Sequence, residues 1–313
     1  MNMTKMIKNP TDTEINNLFA NTDPEETWGK AAAIIIRIDP DYDFGLIRTV
    51  FDDVLRLFHG EYQGYSSIKT LYHNLPHTLD VFLCAVRLVH GIHLSGTPLS
   101  DEEISLIVIA TLMHDIGYAQ LEEEESGTGA QFTQTHVKRG ITFMQHYLTE
   151  RHLPASFAAS LTPMIYSTDP SLNFAEIEFP DDRTRLLGQI VVTADLTGQM
   201  ADRTYLEKLL FLYLEFKEAH FGKFRNIHDM LRQTRNFYEI TRTKLDGPFG
   251  GLHLNLALHF KDTLGVEKNY YLESIEKNIA YLEKVVALDE AEHLTMLKRG
   301  GITEKAKAIS VPE

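Results

Sequence analysis

The sequence predicts an all-α protein. Apolar residues recur three and four positions apart from about Phe44 onward, helix-start and helix-stop signals bracket these segments, and no strand-like alternation persists. Residues 31–38, AAAIIIRI, are ambiguous, because a short strand and a buried helix both fit the pattern. The 313 residues contain no repeat of fixed period and no low-complexity linker, so we expect one helical domain with a loosely attached N-terminal segment.

The first clear helix is predicted over residues 76–90. Pro76 suits a first helical turn and Gly91 suits a stop. His73 and His77, four residues apart where this helix begins, are expected to share a face and to aim at one point. The apolar residues of the helix also share a face: Leu79, Phe82, Leu83, Val86 and Val89.

The second helix is predicted to begin after Ser100, which forms a capping box with Glu103, and to end near Gly117. The run between these residues is apolar enough to be buried nearly all round. His114 and Asp115 therefore lie at the C-terminal end of a buried helix. An adjacent imidazole and carboxylate are costly to bury there unless a charge compensates them.

More helices are predicted over residues 135–150, 156–166, 182–200, 205–219 and 270–286. In the 182–200 helix one apolar face carries Asp195 near the buried side. The 270–286 helix is amphipathic, and a homodimer formed through residues 270–287 is a hypothesis that this pattern suggests.

Composition limits the partners. The chain is 43% hydrophobic and 24% charged, as expected of a globular protein. No window is seen to approach the roughly 20 apolar residues of a membrane span, and the N-terminus lacks a signal-peptide core, so a cytoplasmic location is predicted. A net charge of -14 disfavours long nucleic acids, whereas a small phosphate ester is compatible if metal ions supply positive charge. The single Cys84 excludes an internal disulfide framework and a cysteine-rich zinc site.

Four candidate metal ligands come from three of the predicted helices: His77, His114, Asp115 and Asp195. Neutral imidazole and ionised carboxylate both donate lone pairs to divalent zinc, iron or manganese, and helical bundles assemble such sites from facing helices. Taken singly, each residue is better explained as a surface or hydrogen-bonded group. Taken together, the four favour a metal site.

The order of these residues resembles the HD superfamily of metal-dependent phosphohydrolases, which is named for its His-Asp pair. Within that superfamily, the segment YHNLPHTLDV is similar to the signature of class I cyclic-nucleotide phosphodiesterases. The segments THVKRG, YSTDP and VVTADLTGQ continue the resemblance in family order. The similarity runs from about Tyr72 to Gln199, roughly the middle two-fifths of the chain.

The resemblance implies an HD-domain, phosphodiesterase-like helical bundle with two divalent metal ions. Zn, Fe or Mn would occupy the first site, held by the four candidate ligands, and Mg or Mn would occupy the second, reached through Asp115. Hydroxide bridging the metals would attack a small phosphate diester, for which a 3',5'-cyclic nucleotide is one candidate. His73 would donate a proton to the departing oxygen as general acid. No membrane and no long nucleic acid are expected as partners.

Further residues have two interpretations each. His136 is a second-shell partner or second-metal ligand, or a histidine that merely begins a helix. Asn74 orients His73 or caps the helix. Thr168 and Asp169 order the second metal's water or form a turn. Gln199 is a candidate substrate contact.

The resemblance also implies domain bounds and leaves alternatives open. Residues 44–220 would form the core and 221–300 helices packed on it, with a partly ordered segment at 1–43 and a tail at 301–313. The family pattern has a second His shortly after the His-Asp pair, where this chain has Tyr118. The alternative functions are a nucleotidase or other phosphomonoesterase of the same superfamily, and a catalytically silent nucleotide-binding module.

Overall fold

The computed structural model describes residues 15, 18–19, 21–124 and 126–310. In these residues it contains thirteen α-helices and no strand, apart from an isolated antiparallel bridge between Tyr65 and Leu121. The all-α prediction is therefore confirmed. Residues 1–14, which belong to the predicted N-terminal segment, and residues 311–313, at the end of the predicted tail, lie outside the described residues.

The helices are numbered here in chain order. They are α1 Pro24–Ile38, α2 Gly45–His59, α3 Leu75–Leu94, α4 Asp101–Met113, α5 His136–Glu150, α6 Ala155–Tyr166, α7 Asp182–Ala201, α8 Tyr205–Glu218, α9 Ile227–Asp246, α10 Leu256–Leu264, α11 Tyr270–Val286, α12 Glu290–Met296 and α13 Ile302–Ser310. Residues 302–310, within the predicted tail, thus form a helix, and it packs on α8.

The ambiguous stretch AAAIIIRI lies inside α1 and is helical. Asp23 caps this helix by accepting a hydrogen bond from the Glu26 backbone N–H, and Pro24 occupies its first turn. Ala31, Ile34 and Ile35 are buried, and their spacing of three and four is the helical one. Side-chain burial at this spacing decides between the two interpretations of the apolar run.

The centre of the fold is α3, which packs against α1, α4, α7 and α10. By length and composition alone α3 could cross a membrane, which the sequence analysis did not predict. In the structure, 89% of its most apolar 18-residue window is buried inside the protein. Gly91, predicted to stop this helix, lies within it instead. A Cβ built at Gly91 would lie 2.1 Å from the Asn255 carbonyl oxygen, so the glycine permits close packing of two backbone segments.

The helix α4 carries the predicted capping box between Ser100 and Glu103, with both hydrogen bonds present. From Ile104 to Met113 every residue is buried. The α-helix ends at Met113 with His114 as its C-cap, and a 3₁₀ turn follows at Ile116–Tyr118. The helices α3, α4 and α7 all pack on one another, so this end of α4 lies beside the other two.

The apolar face of α11 is used within the chain. Ile275, Ile279 and Leu282 are buried, and the helix packs against α7 and α9. The described structure therefore offers little of this face to a second copy, and the homodimer stays a hypothesis without this support.

Candidate metal centre

Three of the four predicted ligands of the first metal, His77, His114 and Asp115, form a close group, and Asp195 lies beside it. The Nε2 atoms of His77 and His114 are 3.3 Å apart and lie 3.2 and 3.1 Å from Oδ2 of Asp115. Oδ1 of Asp195 is 3.6 Å from the His77 nitrogen and 3.8 Å from the His114 nitrogen. All four residues are buried. His77, His114 and Asp115 together could hold a metal ion.

Local hydrogen bonds aim the two imidazoles. Asn74 caps α3, and its Oδ1 accepts a hydrogen bond from the His77 backbone N–H at 3.2 Å, so its role as a cap is confirmed. Nδ1 of His114 lies 2.8 Å from the Thr111 carbonyl oxygen, which can only accept. His114 therefore carries a proton on Nδ1 and directs Nε2 at the other ligands, as is usual for metal-binding histidines.

An unsatisfied oxygen tests whether a cation fits this group. Oδ2 of Asp115 is buried and accepts no hydrogen bond, although two imidazole nitrogens lie near it. A buried carboxylate oxygen without a hydrogen-bond donor is unfavourable. A divalent cation between Oδ2 and the two nitrogens would satisfy all three atoms, so the residues present fit a metal ion.

The electrostatics of the group also favour a positive charge. Burial acts against the ionised form of Asp115, but the neighbouring imidazoles of His114 and His73 hold its pKa well below the usual range. Burial acts against a charged His114, but the carboxylates of Asp115 and Asp195 raise its pKa to about 9. In the absence of metal, this position attracts a proton strongly, and a metal ion would compete for the same place.

His136 lies on the other side of Asp115. Its Nε2 is 3.4 Å from Oδ1 of Asp115, and its Nδ1 is 2.7 Å from the Thr133 carbonyl oxygen. The carbonyl fixes the proton on Nδ1, so Nε2 presents a lone pair toward the centre. The two oxygens of Asp115 therefore face two different imidazole groups. His136 therefore both begins α5 and directs its Nε2 at Asp115.

Two glycines and an arginine bring His136 to this position. A Cβ built at Gly117 would lie 1.8 Å from the His136 carbonyl oxygen, and Gly140 packs against the same turn. Arg139 donates hydrogen bonds to the carbonyl oxygens of Gly117 and Ala119 at 3.0 Å each. The segments HDIG and THVKRG thus fit together backbone to backbone, which only residues without a side chain allow.

His73 lies beside the centre and is held by Glu215. Its Nδ1 is 2.6 Å from Oε2 of Glu215, while the backbone N–H groups of Tyr72 and His73 donate to Oε1 at 2.6 and 3.3 Å. Burial disfavours the charged imidazole, but the carboxylates of Glu215, Asp115 and Asp195 together outweigh this effect, and the pKa of His73 is raised.

Sequence reasoning missed Glu215. Its side chain is 1% exposed, and most of its neighbours in the segment LFLYLEFKE are apolar. A carboxylate within an apolar stretch was the available signal, but the partner lies more than 140 residues away in the sequence.

Tyr118 lies against two imidazoles. Its ring stacks on His73, with centroids 4.7 Å apart, and on His136, with centroids 4.5 Å apart. The His73 and His136 centroids are themselves 6.0 Å apart, so the two imidazoles lie side by side against Tyr118, which forms a flat wall of the site.

The other predicted residues have different surroundings. The Gln199 side chain accepts a hydrogen bond from the Tyr72 hydroxyl at 2.8 Å and donates one to Oδ1 of Asp195 at 3.3 Å, so its amide binds protein groups at the centre. Thr168 donates to the Ile165 carbonyl oxygen, and Asp169 accepts from Ser171. These two bonds are local, in the manner of turn residues, and no described contact joins either residue to the four ligands.

Comparison with known proteins gives one partial similarity. Residues 119–245 match the model of a family described as Npun_R2479-like. The matched part covers less than half of the chain; it contains His136, Asp195 and Glu215 but begins after His77, His114 and Asp115. A search of curated proteins found no match to this chain. The similarity therefore leaves the function to be argued from the site itself.

Proposed function

We propose that the protein is a metal-dependent phosphodiesterase that hydrolyses a small phosphate diester, with a 3',5'-cyclic nucleotide as the first candidate substrate. The observation that carries the proposal is the position of Asp115. One oxygen of this carboxylate faces His77 and His114, and the other faces His136. A carboxylate shared between two imidazole groups suits a centre with two cations.

Two divalent cations, when bound, supply positive charge that polarises a phosphoryl group and lowers the pKa of a water molecule. His77, His114, Asp115 and Asp195 would hold the first. The second would lie toward Asp115 and His136. Gln199 would help to hold Asp195 in place through its amide, since it also accepts from the Tyr72 hydroxyl.

His73 would supply the proton for the leaving oxygen. Its Nδ1 is bound to Glu215, so a proton on Nε2 is the one left to give. The carboxylate stabilises the imidazolium and fixes the ring, as the buried carboxylate does in other carboxylate–histidine pairs. Tyr118 stacks on the ring of His73 and restricts its rotation.

The test is hydrolysis of two nitrophenyl esters by Mn-loaded protein. Bis-p-nitrophenyl phosphate is a diester and p-nitrophenyl phosphate a monoester, and we expect turnover of the diester only. Turnover of the monoester alone would replace the proposal with a phosphomonoesterase. If protein with full metal content turns over neither ester and no cyclic nucleotide, a catalytically silent binding module replaces the proposal. Asp115→Ala is the control for contaminating activity.

A further inference from the structure

A second concave site lies at the C-terminal end of α8, outside the metal centre. It is a pocket of about 250 Å³. Its lining combines aromatic rings with a lysine and a histidine: Tyr213, Phe216, Lys217, His220, Phe221, Gly222 and Phe224. None of these residues belongs to the centre described above. The pocket is smaller than the roughly 300–1,000 Å³ of sites that enclose drug-sized ligands, so it would take one ring system and leave the rest of a ligand at its mouth.

The rings form an ordered cluster. Phe216 and Phe224 are nearly parallel, at 11° with centroids 5.9 Å apart, and Phe221 lies 5.1 Å from Phe216. All three are half-buried and not among the large exposed hydrophobic residues. They therefore present ring faces within a concave surface, which suits stacking of a planar ligand. Insertion into a bilayer would instead require rings that protrude.

The charge around the pocket is positive in a chain of net charge -14. Lys217 and Lys223 are exposed and form no ion pair with any described residue, and the Lys223 ammonium lies 5.5 Å from the Phe224 ring centroid. The nearest acid in sequence, Glu218, is engaged by Thr128, whose backbone N–H and hydroxyl both donate to it at 2.8 Å. Two ammonium groups without an acidic partner, next to stacked rings, are suited to an anion attached to an aromatic group.

The backbone at the mouth has an unusual conformation. His220 has a φ of 51°, in the left-handed region that residues other than glycine rarely adopt. The conformation ends α8 and turns the chain so that Phe221 and Phe224 fold back toward Phe216. The Phe221 N–H donates to the Phe216 carbonyl oxygen at 2.8 Å, as in the left-handed motifs that end many helices.

We propose that this pocket binds a nucleoside monophosphate, with the base stacked on the phenylalanine rings and the phosphate bound by Lys217 and Lys223. The proposal is independent of the phosphodiesterase proposal, because it requires no residue of the metal centre. It would hold for a nucleotide that the centre does not hydrolyse.

The experiment is calorimetric titration of the full-length protein in excess EDTA, which removes metal-dependent phosphate binding at the centre. The probes are AMP, adenosine and inorganic phosphate. We expect saturable binding of AMP and affinity lower by about tenfold or more for each of the other two. The double variant Lys217→Glu/Lys223→Glu should lose about tenfold or more in AMP affinity.

Two further variants keep the test specific. Lys277→Glu/Lys284→Glu makes the same change of charge on the exposed side of α11, and AMP affinity should stay within about twofold of the unmodified protein. Phe224→Leu keeps an apolar side chain but removes a ring face, so it should weaken AMP and adenosine but not inorganic phosphate. The proposal is overturned if AMP does not bind, if both double variants behave alike, or if vesicles of phosphatidylcholine and phosphatidylserine bind where AMP does not.

Discussion

The contact between His73 and Glu215 gives the sharpest test of the proposed mechanism. In Glu215→Gln the amide oxygen can still accept from the backbone N–H groups of Tyr72 and His73, so we expect the fold and the metal content to be kept. The variant loses the negative charge of Oε2, which lies 2.6 Å from Nδ1 of His73 in the unmodified protein. A hydrogen bond to a charged group contributes about 1.5–3 kcal/mol and a tenfold change in rate corresponds to about 1.4 kcal/mol, so kcat should fall by roughly 10- to 140-fold.

The pH profile separates this role from a purely structural one. The carboxylate raises the pKa of His73, and a general acid acts only while it is protonated, so activity is lost as pH rises through that pKa. Removing the charge lowers the pKa, and the alkaline limb of the kcat profile should move to lower pH. The assay is hydrolysis of a 3',5'-cyclic nucleotide, whose alkoxide leaving group needs a proton, with metal content measured by elemental analysis and folding by thermal denaturation.

Glu218→Gln is the matched control. It is the same substitution one turn further along α8, on a carboxylate that binds Thr128, and it should leave both kcat and the pH profile unchanged. If Glu215→Gln keeps kcat within about twofold of the control and an unshifted alkaline limb, His73 is not the proton donor that we infer.

Three other substitutions test the centre. Asp115→Ala should abolish retention of metal in elemental analysis, and retention of both metal and activity would exclude a centre built on this carboxylate. His73→Ala should keep the metal and lose turnover by about 10²-fold or more, whereas loss of metal as well would make His73 a ligand. Gly117→Ala forces a methyl group against the His136 carbonyl oxygen. The free energy of unfolding, measured by denaturant titration, should fall by about 1–3 kcal/mol. An unchanged midpoint would mean that the 3₁₀ turn and α5 can move apart without cost.

The parts of the fold that the sequence could predict are those that depend on local spacing. The capping box at Ser100 and the helical periodicity of α3 and α7 follow from residues close in sequence, whereas the grouping of His77, His114 and Asp115 was expected from their order along the chain and from the cost of burying charge. Gly91 was interpreted as a helix stop because a local pattern cannot show that Asn255 packs against it. Glu215 was missed for the same reason, since its partner His73 is 142 residues away.

The position at which α4 ends determines where the side chains of His114 and Asp115 point. A helix continuing to Gly117, as predicted, would set adjacent side chains about 100° apart, and they could not face one point. In the structure His114 keeps helical angles, with φ -61° and ψ -35°, whereas Asp115 departs from them, with φ -109° and ψ 3°. This change brings Oδ2 of Asp115 to 3.1 Å from Nε2 of His114. The 3₁₀ turn that follows places Tyr118 against His73 and Gly117 against α5. One break in helical geometry therefore brings together the His-Asp pair, the wall of the site and the approach of His136.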